Sequence, residues 1–217
     1  MSYRLVIFDF DGTLADSIGW MAELLNAMAS RHGYRQVGPE ELEELRSLGN
    51  REIMSRLGVQ PWRLPFIAAD ARKRSAEAAD RIRLFDGAPA LLAELADSRV
   101  EVAIVSSNSE ATIRRILGPT NAGRVGHYRC GASLFGKARK FKQLVTSLRL
   151  ESRSVLCVGD ETRDIDAARA AGLPAAAVTW GSARAEILRA HKPDFVADSF
   201  AELSAIIRQG QCRPQKG

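Results

Sequence analysis

The spacing of apolar positions along this chain passes through three regimes. The first is the uninterrupted run Leu5-Val6-Ile7-Phe8, which stops at Asp9-Phe10-Asp11-Gly12-Thr13-Leu14. An apolar run without alternation reads as a strand buried on both faces, the habit of parallel sheets. From about 17 to 83 the spacing becomes helical. Met21, Leu24, Leu25 and Met28 mark one helix, and Pro39 with Glu40-Glu41 opens a second. Ile53, Met54 and Leu57 form a third piece, and Pro61 starts a fourth running from 62 to about 82. From Phe85 onward short apolar runs alternate with amphipathic stretches. This predicts helices at 88–95, 110–117, 139–148, 164–171, 183–190 and 200–207, with strands at 100–105, 154–158, 175–178 and 195–196. Residues 118–136 have no clear period, and 209–217 reads as a polar, flexible tail. Strands alternating with helices imply βαβ units, so the fold class is α/β with a parallel sheet. The expected domains are an α/β core from 1–16 and 84–208, and a helical segment, 17–83, inserted after the first strand.

Composition narrows the classes. With 217 residues, 46% hydrophobic and 26% charged, the chain suits one core plus an insertion. The net charge of +5 is spread over scattered groups such as Arg72-Lys73-Arg74 and Arg114-Arg115, without interleaved aromatics. That pattern argues against nucleic acid as a partner and for a surface that attracts small anions. No window approaches the ~18–20 apolar residues of a membrane span, and Tyr3-Arg4-Leu5 opens without a signal-peptide pattern. The expected location is the cytoplasm. Cys130, Cys157 and Cys212 form no CxxC pair or disulfide framework, and Cys157 sits in the apolar run 155–158 as a small core residue.

The candidate chemistry lies where apolar runs end. Asp9 and Asp11, two apart, share one side of the chain, and two such carboxylates repel unless a cation or a shared proton relieves them. Val102-Ala103-Ile104-Val105 ends in Ser106-Ser107-Asn108, and Val155-Leu156-Cys157-Val158 ends in Gly159-Asp160, with Asp164 four residues on. Between these lies a basic cluster, Lys137, Arg139, Lys140 and Lys142. In a parallel sheet all would gather at one edge. Phosphoryl transfer needs a nucleophile, a proton shuttle, a metal, a cation and short donors for phosphate oxygens, and this set supplies each. Asp9 is the candidate nucleophile and Asp11 the general acid/base. Gly12 permits close backbone approach and Thr13 supports the loop, both candidates for contact with phosphate. Asp160, with Asp9, suits Mg²⁺, and Asp164 ligates directly or through water.

These residues also resemble a family. Asp9-Phe10-Asp11-Gly12-Thr13-Leu14 is similar to the first motif of the haloacid-dehalogenase (HAD) superfamily, Ser107-Asn108 to the second and Gly159-Asp160-x-x-x-Asp164 to the fourth. Ser107 fits the second motif better than Ser106, because Asn follows it directly as in phosphoglycolate-phosphatase-like relatives. The third motif is a lysine that neutralises the nucleophile and the transferred phosphate; Lys137 is favoured, with Lys140 the alternative. The resemblance implies a Rossmann-like three-layer core and a C1-type helical cap. It implies Mg²⁺ held by Asp9, Asp160, Asp164 and the backbone carbonyl of Asp11. It further implies an aspartyl-phosphate intermediate, a small phosphorylated metabolite as substrate and a monomer or homodimer. Asp16-Ser17 and Arg83-Leu84 are then candidate hinges, and Arg51, in Leu48-Gly49-Asn50-Arg51-Glu52, a candidate substrate contact. Trp62 and Phe66 are expected to pack within the cap. Asp11 speaks against a dehalogenase. Lys73, the only lysine of the insertion, reads as part of a charged helix face rather than as a phosphonatase Schiff base. A phosphomutase and a non-catalytic protein of the same fold remain alternatives.

Overall fold

The computed structural model describes residues 3–131 and 136–210. Six parallel strands form one sheet in the order β5-β4-β1-β6-β7-β8. They are β1 (Leu5–Phe8), β4 (Glu101–Ile104), β5 (His127–Tyr128), β6 (Val155–Gly159), β7 (Ala175–Val178) and β8 (Phe195–Ala197). β1 lies in the middle with every residue buried, pairing Phe8 with Ile104 on one side and Val158 on the other. Alternate residues of β1 serve two separate cores. Val6 and Phe8 pack with Leu92 of α5 (Ala88–Asp97), Ile113 of α6 (Glu110–Arg124) and Leu203 of α10 (Phe200–Gly210). Leu5 and Ile7 pack with Leu144 of α7 (Lys137–Ser147), Ile165 of α8 (Thr162–Ala171) and Leu188 of α9 (Ala185–Ala190). Helices on both faces of a parallel sheet make the three-layer α/β fold.

The chain leaves β1 for β4 on one side and later returns to β6 on the other. That reversal makes the crevice beyond the carboxyl ends of β1 and β6 the topological switch point, where open α/β sheets bind ligands.

Between β1 and the rest of the sheet, β2 (Ala15–Asp16) pairs antiparallel with β3 (Arg83–Leu84). Four helices lie between them: α1 (Ile18–His32), α2 (Pro39–Leu45), α3 (Asn50–Arg56) and α4 (Leu64–Glu77). The fourth helix stops short of the expected 82, because residues 78–82 turn to bury Ile82 against the sheet core. Trp62 and Phe66 correct an expectation: they are 64% and 63% exposed rather than packed among these helices.

The stretch without a period, 118–136, hides two features. α6 runs on to Arg124 but breaks at Gly118, where φ is 71° and Pro119 follows. β5 is only two residues long, with Tyr128 alone buried, too short to leave an alternation. α10 continues through 209–210, so that part of the expected tail is helical. Residues 211–217, including Cys212, lie outside the described residues.

Leu92 is fully buried against the sheet. Leu92→Ala is expected to lower unfolding free energy by about 2–5 kcal/mol, read as a reduced urea midpoint with an unchanged m value.

Candidate active site

The ladders of the central strands bring the candidate motifs together. Val105 N–H donates to the carbonyl of Phe8, and Asp9 N–H to that of Val158, so Ser106, Asp9 and Asp160 follow at neighbouring strand ends. Asp160 precedes α8 and Asp164 sits in its first turn, where its Oδ2 accepts from the Glu161 backbone N–H (3.1 Å). The spacing of four is therefore one strand end plus one helical turn.

Three carboxylates, Asp9, Asp160 and Asp164, each offer an oxygen within 4.8 Å of the others, and all are buried. Lys137 Nζ stands 2.5 Å from both Asp9 Oδ2 and Asp164 Oδ1. Burial works against the lysine's charge, but Asp164 and Asp9 outweigh it and hold Lys137 charged well beyond neutral pH. Lys140 is elsewhere, donating to the carbonyls of Arg129 (3.1 Å) and Cys130 (2.7 Å). Of the two lysines, it is Lys137 that meets the aspartates.

Asp160 is clamped. Its Oδ1 accepts from the Thr13 hydroxyl (2.7 Å) and its Oδ2 from the Ser182 backbone N–H (2.7 Å). A side chain at Gly12, whose φ is 77°, or at Gly181 would collide with this carboxyl group. Thr13, expected to support the loop and to contact phosphate, is fully buried and spends its hydroxyl on Asp160. The N–H of Gly12 likewise closes the turn onto Ala15.

Burial, then Glu161, Asp9 and Asp164, push the Asp160 carboxyl upward from the ordinary range. Burial also raises Asp164, against the pull of Lys137. Three carboxylates facing one lysine leave an excess of two negative charges. A set of buried, pre-oriented hard oxygens with that excess fits a divalent cation such as Mg²⁺.

Asp11 stands apart from the three. It faces a cavity of about 240 Å³ together with Ser107, Asn108 and Arg163. Asn108 Nδ2 donates to Asp11 Oδ2 (3.4 Å) and to Ser75 Oγ on α4 (2.8 Å). Burial first, then the neighbouring Asp9, raise the Asp11 carboxyl to about 6. Ser106 is consumed locally, its hydroxyl accepting from Asn108 N–H (3.0 Å), and of the two adjacent serines Ser107 is the one on the cavity. Arg51 is exposed at the first turn of α3 and is not among the cavity's lining residues.

Several participants escaped sequence reasoning. Gly181 and Ser182 follow β7 with no motif to mark them. Arg163 pairs with Glu161 (2.8 Å) and shows only as part of a charged stretch. Met21, Leu24, Leu25 and Met28, whose spacing signals a helix face, also line the cavity, as does Trp20, which packs against the sheet core as well.

A family model described as "Haloacid dehalogenase-like hydrolase" matches residues 6–178. The chain belongs to this family. It is 33% identical over 207 residues to a phosphoglycolate phosphatase of Synechococcus elongatus, covering 95% of this chain and 98% of that one. It is 32% identical to the tyrosine-protein kinase PtkA of Mycobacterium tuberculosis, over 86% of this chain and 66% of that protein. In fold it superposes with a TM-score of 0.81 on the crystal structure of a protein from Clostridium acetobutylicum described as a predicted phosphatase. That match is 21% identical and covers 96% of this chain and 100% of the other. Among the described residues no helix is long and apolar enough to cross a membrane.

The raised Asp11 makes a prediction with a defined sign. Its folded value, about 6 against an ordinary 3.8, means the folded state holds the proton longer than the unfolded chain. The stability this proton confers is full below about pH 4 and lost as pH rises through 6. Without metal, Asp11→Asn is therefore expected to stabilise by a margin growing from near zero at pH 4 to about 1–2 kcal/mol at pH 7. Because carboxylates must shed protons to bind metal, MgCl₂ should raise Tm more at pH 8 than at pH 5. Thermal melts of both proteins across pH, with and without Mg²⁺, check each statement.

Proposed function

We propose that this hydrolase is a Mg²⁺-dependent phosphatase that cleaves a small phosphate monoester through an aspartyl-phosphate on Asp9. The observation that carries the reading is the Asp9 carboxylate, held against Lys137 within the three-carboxylate cluster, with Asp11 beside it on the cavity.

Asp9 attacks phosphorus as the alkoxide leaves, and water then cleaves the acyl phosphate. Lys137 offsets charge on the nucleophile and on the transferred group. Asp11 protonates the departing oxygen and afterwards takes a proton from the attacking water. Its value of about 6 lies close enough to neutrality for both tasks. Ser107 and Asn108 supply donors at the cavity end of the site, while Thr13 acts indirectly by orienting Asp160. Asp9, Asp160 and Asp164 would hold Mg²⁺, with the Asp11 backbone carbonyl as the resemblance implies. When bound, the ion neutralises phosphoryl charge as a Lewis acid.

The helices of 17–83 serve as a cap domain over the core of 1–16 and 84–208. The paired crossings at Asp16 and Arg83 act as its hinge, and Ser75–Asn108 is a contact that forms on closure. The substrate is a small phosphorylated metabolite met in the cytoplasm. Phosphoglycolate, named in several relatives, is the first compound to test.

Purified protein is expected to hydrolyse p-nitrophenyl phosphate only with Mg²⁺. Asp9→Asn is expected to reduce kcat by on the order of 10³-fold or more. Absence of turnover in the wild type, or its survival after the substitution, rejects the mechanism.

A further inference from the structure

One face of α4 forms a wall of the cavity: Leu64, Ile67, Ala68, Ala71, Arg72 and Ser75 all line it. Ser75 marks the phosphate end, since Asn108 donates to its hydroxyl and also reaches Asp11. Arg72 lies three residues earlier, about 4.5 Å back along the helix axis. Several arginines of this part of the molecule are paired with an acid. Arg31 and Arg74 pair with Asp70, Arg35 and Arg56 with Glu41, and Arg81 with Glu23. Arg72, half-buried beside leucine, isoleucine and alanine, has no acidic partner among the described residues. A guanidinium against apolar walls is poorly solvated, and an anion that reaches it recovers that cost.

We propose that Arg72 binds a second anionic group of the substrate, a carboxylate close to the phosphate ester, and so selects short phosphorylated hydroxy acids. The inference rests on the phosphatase reading and narrows it. One guanidinium matches one carboxylate in charge and in planar, two-point geometry. A cavity of about 240 Å³ admits a small acid and falls below the range of roughly 300–1,000 Å³ common for drug-sized ligands. The surrounding Leu64, Ile67 and Met21 are apolar, which lowers the local polarity around an ion pair at Arg72 and strengthens it. They also leave the hydroxyls of a sugar phosphate without partners. Arg72 thus takes the role that sequence resemblance suggested for Arg51.

The test compares kcat/KM for phosphoglycolate and for ethyl phosphate, matched in length but lacking the carboxylate. The wild type is expected to favour phosphoglycolate. In Arg72→Met the ratio of the two should fall roughly ten- to hundredfold, mainly through KM for phosphoglycolate. Arg72→Lys should restore part of it. A ratio unchanged in Arg72→Met, even if both rates drop, overturns the proposal, as does a wild type that shows no preference. Hydrolysis of ethyl phosphate that is lost in Asp9→Asn, without preference for phosphoglycolate, sinks the role of Arg72 and leaves the phosphatase reading standing. A wild type that hydrolyses p-nitrophenyl phosphate with Mg²⁺ but neither of these compounds overturns the role of Arg72 alone, whereas one that hydrolyses none of the three rejects the phosphatase reading, and the role of Arg72 falls with it.

Discussion

Three carboxylates buried within 4.8 Å of one another are the constraint around which this molecule is built. Left alone they would repel, and burial would force protons onto them. Lys137 answers part of that charge at 2.5 Å from two of the three. The third, Asp160, is fixed by a hydroxyl, a backbone N–H and two glycines that leave it room. The residual negative charge is what makes the spot suited to a divalent cation. Buried charges cost several kcal/mol each unless well paired, so such an arrangement persists only where the surrounding sheet dictates it. Here β1 does so, because both its neighbours end at the same level.

Above that rigid edge the helices of 17–83 are put together differently. Among the described residues their own buried cluster consists of Val37, Leu45 and Leu57, and many of their other apolar side chains face the cavity. They rest on the core through the apolar side chains of Trp20 and Ile82 and through polar contacts. Asn108 reaches Ser75, while Arg46 donates to the carbonyls of Gly181 and Ser182, on the loop whose backbone also holds Asp160. A unit with little buried core of its own and two short crossings is suited to move as a body. The three carboxylates thus sit at the sheet edge, while side chains of 17–83 make up most of the cavity lining.

How much of this was legible varied with the range of the signal. The strands and most helices announced themselves through local periodicity, and the polar residues behind each strand through abrupt changes of composition. A two-residue edge strand such as β5 offers no period, and the break at Gly118 interrupts one. Trp62 and Phe66 looked like packing residues because burial cannot be read from residue type alone. The site was harder where two residues of the same kind compete. Ser106 and Ser107 differ only in which one the following asparagine captures, and Lys137 and Lys140 lie one helical turn apart.

By itself the sequence determined the α/β class, the helical insertion and the identity of the aspartates, because strand period and strand-end chemistry are properties of adjacent residues. Tertiary structure alone decided which lysine meets Asp9, that Thr13 serves Asp160, and that Gly181 and Ser182 belong to the site. It also decided that Arg72 rather than Arg51 lines the cavity. Each of these is a contact between segments distant in sequence. Their distances are set by how sheet and helices pack, which no local pattern encodes.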